Sequence, residues 1–140
     1  MNKAVEIAQY IINSYCAHGV PINNRRLMAI LYYAQATFLV HLGLPCFTDD
    51  IFATDDGPYI SEVSKKYKPC DSKGYSFSGG TSDICLSVED INTLEFVILA
   101  TYQFTTENLI NCIKNEKPYK LAYESKGKII SSESIKRYLK

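Results

Sequence analysis

Hydrophobic positions in the first part of the chain recur at the spacing of amphipathic helices. Apolar residues three and four positions apart predict a first helix over residues 3–17. A second helix is predicted from Asn23 or Asn24, either of which can cap it, to about residue 42, with Gly43 as its stop. Because its apolar residues cover most of its circumference, we expect this helix at the centre of a bundle. Its predicted inward face comprises Leu27, Ile30, Leu31, Ala34, Phe38 and His41.

The helical period breaks between residues 45 and 54, where Ile51 and Ala53 alternate with their neighbours. Such alternation predicts a short strand or an extended hook. Turn-forming residues follow at 55–57, and Pro58 suits the first turn of a new helix. We therefore predict a turn at this point and a short, mostly polar third helix over residues 59–67.

The second half of the chain predicts four more helices and one long loop. A composition rich in Ser, Gly, Lys and Asp predicts a variable loop over residues 69–85, in which 75–77 could form a small strand. The spacing of Ser87 and Asp90 indicates a capping box. An extended stretch is expected at 128–130. The four helices are predicted to begin at Ser87, at Thr105 or Thr106, at Pro118 and at Ser131, the last one continuing to residue 140.

These elements predict a mainly α fold: a compact single-domain bundle of about six to seven helices with a short β-hook or hairpin, over residues 1–140. Fifteen basic and fifteen acidic side chains cancel, so no overall field attracts nucleic acid or an anionic membrane. No apolar run approaches the roughly 20 residues of a membrane span. Polar residues interrupt the N-terminal apolar stretch, unlike in a signal peptide. We therefore expect a cytoplasmic protein.

The five cysteines indicate neither a metal site nor a disulfide framework. Their number is odd and no pair has C-x-x-C spacing. Thiols stay reduced in the cytosol. We expect Cys16 and Cys112, which lie in helical patterns, to be small buried apolar groups. Cys70 lies in the predicted loop and could be exposed.

Four carboxylates, at Asp49, Asp50, Asp55 and Asp56, fall within eight residues and could bind a divalent cation. They do not follow the alternating pattern of a calcium loop, and neither histidine has a metal ligand at helical spacing. Turn and cap roles are therefore favoured. A small metal-dependent hydrolase that uses these carboxylates or His41 is the less favoured alternative. We expect no catalytic residue and no cofactor.

Basic residues form three small clusters, at 25–26, 65–68 and 136–140, each at a helix end or on a polar face. Solvated faces explain them best, because lysine near a helix C-terminus is favourable on its own. Nucleic-acid binding, for instance by an autoregulator that binds its own promoter, would need the clusters on one face with aromatic residues between them and is disfavoured. Eleven tyrosines without a tryptophan leave a tyrosine-rich interaction surface open.

The order of elements and three short motifs resemble the Panacea domain of SocA- and GepA-like bacterial and phage proteins. The similarity covers nearly the whole chain outside residues 69–85. Thr54 and Tyr119 stand where this family usually has an aromatic residue and a tryptophan, so the chain resembles a divergent member. The motifs are Leu31-Tyr32-Tyr33-Ala34-Gln35, then Gly57-Pro58 with Val63 and Tyr67, and finally Glu116-x-Pro118 followed by an aromatic residue.

The resemblance implies a non-enzymatic antitoxin that neutralises a toxin by direct binding. Members of the SocA type also present their toxin to a ClpXP-type protease, so an adaptor role in proteolysis is implied as well. The divergence leaves a second hypothesis open, namely a phage or mobile-element protein that binds a host or defence protein. Tyrosine and arginine near the hook should supply the contacts. The predicted partner-binding residues are Arg25, Arg26, Asp55, Gly57, Pro58, Tyr59 and Tyr67.

Overall fold

The computed structural model describes residues 2–67 and 86–139, and over these the fold is mainly α with one antiparallel hairpin. The predicted fold class is therefore confirmed. The predicted loop at 69–85, its optional strand at 75–77 and Cys70 lie outside the described residues. The helices are α1 (Ala4–Ala17), α2 (Asn24–Thr37), α3 (Ser61–Lys66), α4 (Val88–Tyr102), α5 (Thr106–Lys114), α6 (Lys117–Glu124) and α7 (Ser132–Tyr138), and the strands are β1 (Phe52–Thr54) and β2 (Gly57–Tyr59).

Helix α2 is the centre of the fold, as predicted. Every side chain from residue 27 to residue 32 is buried, and α2 contacts α1, α4, α5, α7 and β2. Its first turn is capped by Asn23, whose Oδ1 accepts the backbone N–H of Arg26 at 2.9 Å. A helix surrounded on all sides needs apolar residues around its whole circumference, which explains its unusual hydrophobic pattern.

The last turn of this helix differs from the prediction in one respect. Phe38–Leu42 forms a π-helical turn, and Gly43 then ends the helix with a φ of 76°. A π-helical turn contains more residues than an α-helical one, so it rotates the side chains that follow. His41 is consequently exposed, and the prediction that it lies on the buried face is wrong.

The hook is a β-hairpin in which Phe52 pairs with Tyr59 and the turn lies at Asp55 and Asp56. The turn is thus confirmed, but the placement of Pro58 in the first turn of a helix is wrong, because Pro58 lies within β2. Proline has no backbone N–H, and none is needed at this position of β2. Its partner on β1, Ala53, points its own N–H away from β2 and donates it to Lys128 O at 2.8 Å. Helix α3 begins only at Ser61.

The predicted caps in the second half of the chain are confirmed. Ser87 Oγ accepts the N–H of Asp90 at 3.0 Å, and the Asp90 carboxylate accepts the N–H of Ser87 at 3.4 Å. Thr105 and Ser131 cap α5 and α7 with side-chain oxygens 3.1 Å from backbone nitrogens. Ile129 and Ile130 border β1 through the bridge from Ile129 to Phe52 and the bond from Ile130 N to Ile51 O at 2.8 Å, whereas Lys128 has a φ of 57° and is not extended as predicted.

The predicted burial of Cys16 and Cys112 is not confirmed in full. Cys112 is exposed, because the buried stripe of α5 consists of Leu109, Ile110 and Ile113 and leaves Cys112 beside it. Cys16 is half-buried against the core. The expectation that both are buried is therefore wrong for Cys112 and only partly met by Cys16.

Candidate partner-binding site

The hairpin is held in place by side chains from the three motifs. Tyr32 on α2 donates a hydrogen bond to Glu116 at the start of α6, with 2.6 Å between Tyr32 Oη and Glu116 Oε1. Burial raises the pKa of the Glu116 carboxyl, and the hydrogen bond from Tyr32 opposes this rise. Burial and the nearby carboxylate raise the pKa of the Tyr32 phenol, so it stays a donor. This bond ties the central helix to the segment that faces the hairpin.

Gln35, in the same motif, holds the segment that leads into β1. Its Nε2 donates to Phe47 O at 3.0 Å, and its Oε1 accepts the N–H groups of Cys46 and Phe47 at 2.8 Å and 3.2 Å. Gln35 is buried, so these bonds satisfy both ends of its amide where water is excluded. The motif therefore positions backbone rather than presenting side chains to solvent.

Gly57 lets β2 lie directly against α5. Its φ is 116°, a conformation that side-chain-bearing residues rarely adopt. An added Cβ would lie 3.1 Å from Ile110 Cγ2, closer than ordinary van der Waals contact. The glycine of the Gly-Pro motif is thus required both by the backbone conformation and by the close approach of the helix.

Two tyrosines and a lysine bracket the tip of the hairpin. Tyr123 Oη donates to the Asp55 carboxylate, and Lys114 Nζ donates to Asp55 O. Tyr119 Oη donates to Thr54 O. These side chains surround a cavity of about 240 Å³ that is open at the hairpin tip. Asp55 therefore serves the turn and its anchoring on α5 and α6, in agreement with the turn role favoured from the sequence.

The two adjacent arginines at the start of α2 have different environments. Arg26 donates from Nε to Tyr15 Oη at 2.8 Å, and from its terminal nitrogens to Phe104 O at 2.8 Å and Thr101 O at 2.9 Å. Its guanidinium thereby caps carbonyls at the end of α4. Arg25 is exposed and forms an ion pair with exposed Glu107, which lowers the pKa of that carboxyl.

The seven predicted residues do not form one patch. Arg25 contacts Glu107 near the start of α5 and Asp55 contacts Lys114 at its end, seven positions and about 10.5 Å of helix apart at 1.5 Å per residue. Tyr67 is buried and donates to Gln9, and its carbonyl accepts from Asn24 Nδ2 at 2.9 Å. Within the set, Gly57, Pro58 and Tyr67 are buried, Arg26 is half-buried, and Arg25, Asp55 and Tyr59 are exposed. A partner-binding role for these residues stays a prediction.

The acidic residues around the hairpin are dispersed. Asp49 Oδ1 accepts the N–H of Ala4 at 2.9 Å and so occupies the N-terminal end of α1, away from the hairpin tip. In the described residues, no group of three or more His, Cys, Asp and Glu side chains is placed to hold a metal ion. Asp49 therefore acts as a cap, and Asp55 and Asp56 form the hairpin turn.

The most exposed apolar surface was not predicted, and it lies on the outer side of α4. Val88 is 75% exposed, Phe96 63% and Leu99 65%, whereas Leu94 and Val97 point into the core. The sequence signal was present, because α4 is apolar beyond its buried stripe. We call this surface the α4 face. It consists of Val88, Ile91, Phe96, Leu99 and Phe104.

Ile91 lies at the edge of this surface and is 37% exposed. Two cavities lie one after the other along one edge of the α4 face. One, of about 560 Å³, lies between α4 and the end of α2 and is lined by His41 and Val88. The other, of about 270 Å³, lies between α4 and α5. Thr37 and Phe96 line both, so the cavities meet beside the Phe96 ring.

Fold and surface together define a small helical domain whose prominent exposed feature is apolar. None of the helices in the described part of the chain is long and apolar enough to cross a membrane. A family model described as the antitoxin SocA-like Panacea domain matches residues 27–120, more than half of the chain. The chain therefore belongs to the Panacea-domain family of SocA-like antitoxins. No curated protein and no solved structure matches it.

Proposed function

We propose that this protein is a cytoplasmic, non-enzymatic antitoxin that neutralises a protein toxin by direct binding. Membership of the SocA-like Panacea family supports a role in a toxin–antitoxin pair. The observation that carries the proposal is the α4 face, where Phe96 and Leu99 are each more than 60% exposed. Phe96 and Leu99 are three positions apart on one helix and so lie side by side, and exposed apolar patches on a folded domain mark surfaces that bind other proteins.

The chemistry of the α4 face agrees with a binding role. Aromatic side chains are enriched at the centres of protein interfaces, and this face contributes two of them, Phe96 and Phe104. In the proposed complex these rings enter the partner surface. Among the residues predicted from the sequence, Arg25, Asp55 and Tyr59 are exposed and are proposed as polar contacts outside this centre.

The other predicted residues support the proposal in a different way. Gly57 and Pro58 shape the hairpin, Arg26 caps α4, and Tyr67 packs at the junction of α1 and α2. We propose that these four set the positions of α4, α5 and the hairpin without entering the interface. Changing them would then weaken binding through loss of structure.

Co-expression with the neighbouring gene tests the proposed function. The product of that gene is expected to stop growth when expressed alone, and the chain is expected to restore growth and to co-purify with the product at an equal molar ratio. A chain that fails to restore growth, with a neighbouring product that is harmless alone, would contradict the proposal. Binding to a host or defence protein in place of a neighbouring product would favour the phage-protein alternative.

Two further measurements separate neutralisation by binding from other roles. If the chain also presents the toxin to a ClpXP-type protease, the half-life of the toxin should shorten in the presence of the chain and lengthen when the protease is deleted. Neutralisation by binding alone leaves the half-life independent of the protease. If the purified protein shifts the electrophoretic mobility of DNA from its own promoter, and salt weakens this shift, the protein also has a DNA-binding role.

A further inference from the structure

The α4 face has the dimensions of a docking site for one helix. Its helical part, from Val88 to Tyr102, extends about 21 Å at 1.5 Å per residue, the length of a partner helix of about fourteen residues. Cavities of about 560 and 270 Å³ follow one another along one edge of this face and meet at Phe96. Side chains on successive turns of one helix could occupy both cavities, with the Phe96 ring between them.

The surface favours a helix over an extended strand. A strand that adds to a protein needs unpaired backbone N–H and C=O groups at a sheet edge. The α4 face offers side chains of a regular helix, whose internal backbone groups already bond to each other. Apolar anchors at helical spacing are the complement of such a groove.

The charge of this region determines which kind of helix fits. Residues 86–104 contain three carboxylates and no lysine or arginine. Asp90 is used in the capping box, and Glu95 accepts a hydrogen bond from Tyr10. Glu89 is exposed beside Val88 and lines the larger cavity. Among the described residues that line the two cavities, none is a lysine or an arginine, and His41 lines the larger one. A partner with lysine or arginine around an apolar stripe would therefore be complementary.

A second copy of the chain fits less well. Two α4 faces packed together would bring residues 86–104 of each copy against the same segment of the other, without a basic side chain from either segment. Carboxylates would then be covered with no opposite charge from α4, which is unfavourable.

We propose that the α4 face binds a cationic amphipathic helix of the partner protein, with the apolar side chains of that helix seated on both sides of Phe96 and its basic side chains near Glu89. This proposal rests on the proposed antitoxin function, and it names the segment of the toxin that the chain covers. The partner helix carries leucine-like residues on one side and lysine or arginine along the edges of that side.

A peptide-binding experiment with the full-length chain tests the chemistry without the toxin. The probes are two 18-residue amphipathic peptides with the same leucine positions, one with lysine and one with glutamate at all polar positions. We expect the lysine peptide to bind at least about tenfold more tightly at low salt. Equal binding of the two peptides, or no binding of either, would overturn the proposal.

Matched variants locate the binding. The double substitution Phe96→Ser with Leu99→Ser should weaken binding of the lysine peptide about tenfold or more, because it removes central apolar anchors. Leu121→Ser, an exposed leucine on α6, is the control and should leave binding unchanged. Glu89→Lys should weaken binding about threefold, since it reverses a single exposed charge. The corresponding control is Glu133→Lys, in the first turn of α7.

The same variants separate this proposal from the proposed function in the growth assay. If the wild-type chain restores growth and the Phe96–Leu99 double variant does so equally well, the toxin binds elsewhere and the inference about α4 fails alone. If the wild-type chain does not restore growth, the proposed function fails. Circular dichroism and urea unfolding of each variant verify that it is folded.

Two other occupants of the α4 face are tested directly. A dimer in sedimentation experiments that the Phe96–Leu99 double variant converts to monomer would overturn the proposal in favour of a second copy. Binding of the lysine peptide that begins only after residues 69–85 are replaced by a Gly-Ser linker would also overturn it, because that segment would then be the occupant.

Discussion

The phenol of Tyr32 donates a 2.6 Å hydrogen bond to the half-buried carboxylate of Glu116, joining the central helix to the start of α6. Tyr32→Phe removes the hydroxyl group, so the Glu116 carboxylate loses this hydrogen-bond donor. We expect the free energy of unfolding to fall by about 1–3 kcal/mol, the usual cost when a buried group loses its partner. Urea unfolding measures this. Tyr33→Phe is the control and should cost less, because Tyr33 donates to a neutral carbonyl, Leu109 O, at 3.2 Å.

The raised pKa of Glu116 makes stability depend on pH. Because the folded-state pKa lies above the usual value of 4.5, the folded protein binds this proton more tightly than the unfolded chain. The stabilisation from Glu116 is therefore full below pH 4.5 and is lost as the pH rises through the folded-state value. The difference in free energy of unfolding between wild type and Glu116→Gln should thus decrease as the pH rises from 4.5.

Glu107 supplies a control of opposite sign for this pH experiment. The hydrogen bond from Arg25 lowers the pKa of Glu107, so its contribution is present at neutral pH and lost on acidification. This ion pair is exposed, and 0.5 M salt should weaken its effect, whereas the effect of Glu116 should persist. A wild-type-to-Glu116→Gln difference that rises with pH would contradict the proposed environment of Glu116.

The adjacent arginines should differ sharply in their effect on stability. Arg26→Ala removes the donors to carbonyls at the end of α4, and we expect a loss of about 2–3 kcal/mol. Arg25→Ala removes one exposed ion pair and should cost much less, because solvent screens exposed charges. Thermal and urea unfolding of the two variants provide the comparison. Equal losses would show that the guanidinium of Arg26 is not a structural cap.

Gly57→Ala should destabilise the hairpin. Alanine at a φ of 116°, with its Cβ 3.1 Å from Ile110 Cγ2, combines backbone strain with a steric contact, and we expect a cost of about 1–3 kcal/mol. Gly127→Ala is the control, since a Cβ there meets nothing within 4 Å, and its effect should stay within about 0.5 kcal/mol. A Gly57→Ala variant as stable as wild type would show that the hairpin can move away from α5.

Tyr59 tests whether the hairpin contributes to partner binding. It is exposed on β2, so Tyr59→Ala should leave the stability nearly unchanged. If the hairpin contacts the toxin, the variant should weaken the complex about tenfold in a titration, as expected for an interface tyrosine. Tyr138→Ala, similarly exposed on α7, is the matched control and should bind as wild type does. Unchanged affinity of the Tyr59 variant would restrict the interface to other surfaces.

Local rules predicted three helix caps with the correct residues. Ser87, Thr105 and Ser131 cap helices because a side-chain oxygen bonds a backbone N–H three residues later, an interaction that needs no tertiary context. The error at Pro58 has the opposite cause. Proline suits the start of a helix and also a strand position where no backbone N–H is required. The choice depends on a distant residue, because the strand partner of Pro58, Ala53, donates its N–H to Lys128, 70 positions after Pro58.

Partner-binding residues were harder to predict than helices and strands. Two arginines side by side carry the same charge and side chain, so the sequence gives them the same propensity to bind a partner. The difference arises because α4 ends beside Arg26 and α5 begins beside Arg25. Likewise, the apolar residues of α4 are equal candidates for the core until the packing of α2 shows which side of the helix is covered.

The sequence alone determined the mainly α class, the central position of α2 and the caps, because these depend on periodicity and on contacts within a few residues. Its motifs also indicated the Panacea-domain family, whose model matches residues 27–120. Only the tertiary structure decided that Pro58 lies in a strand, that Arg26 caps α4 and that Phe96 and Leu99 face solvent. The physical reason is that burial and hydrogen-bond partners of these residues come from segments distant in the chain.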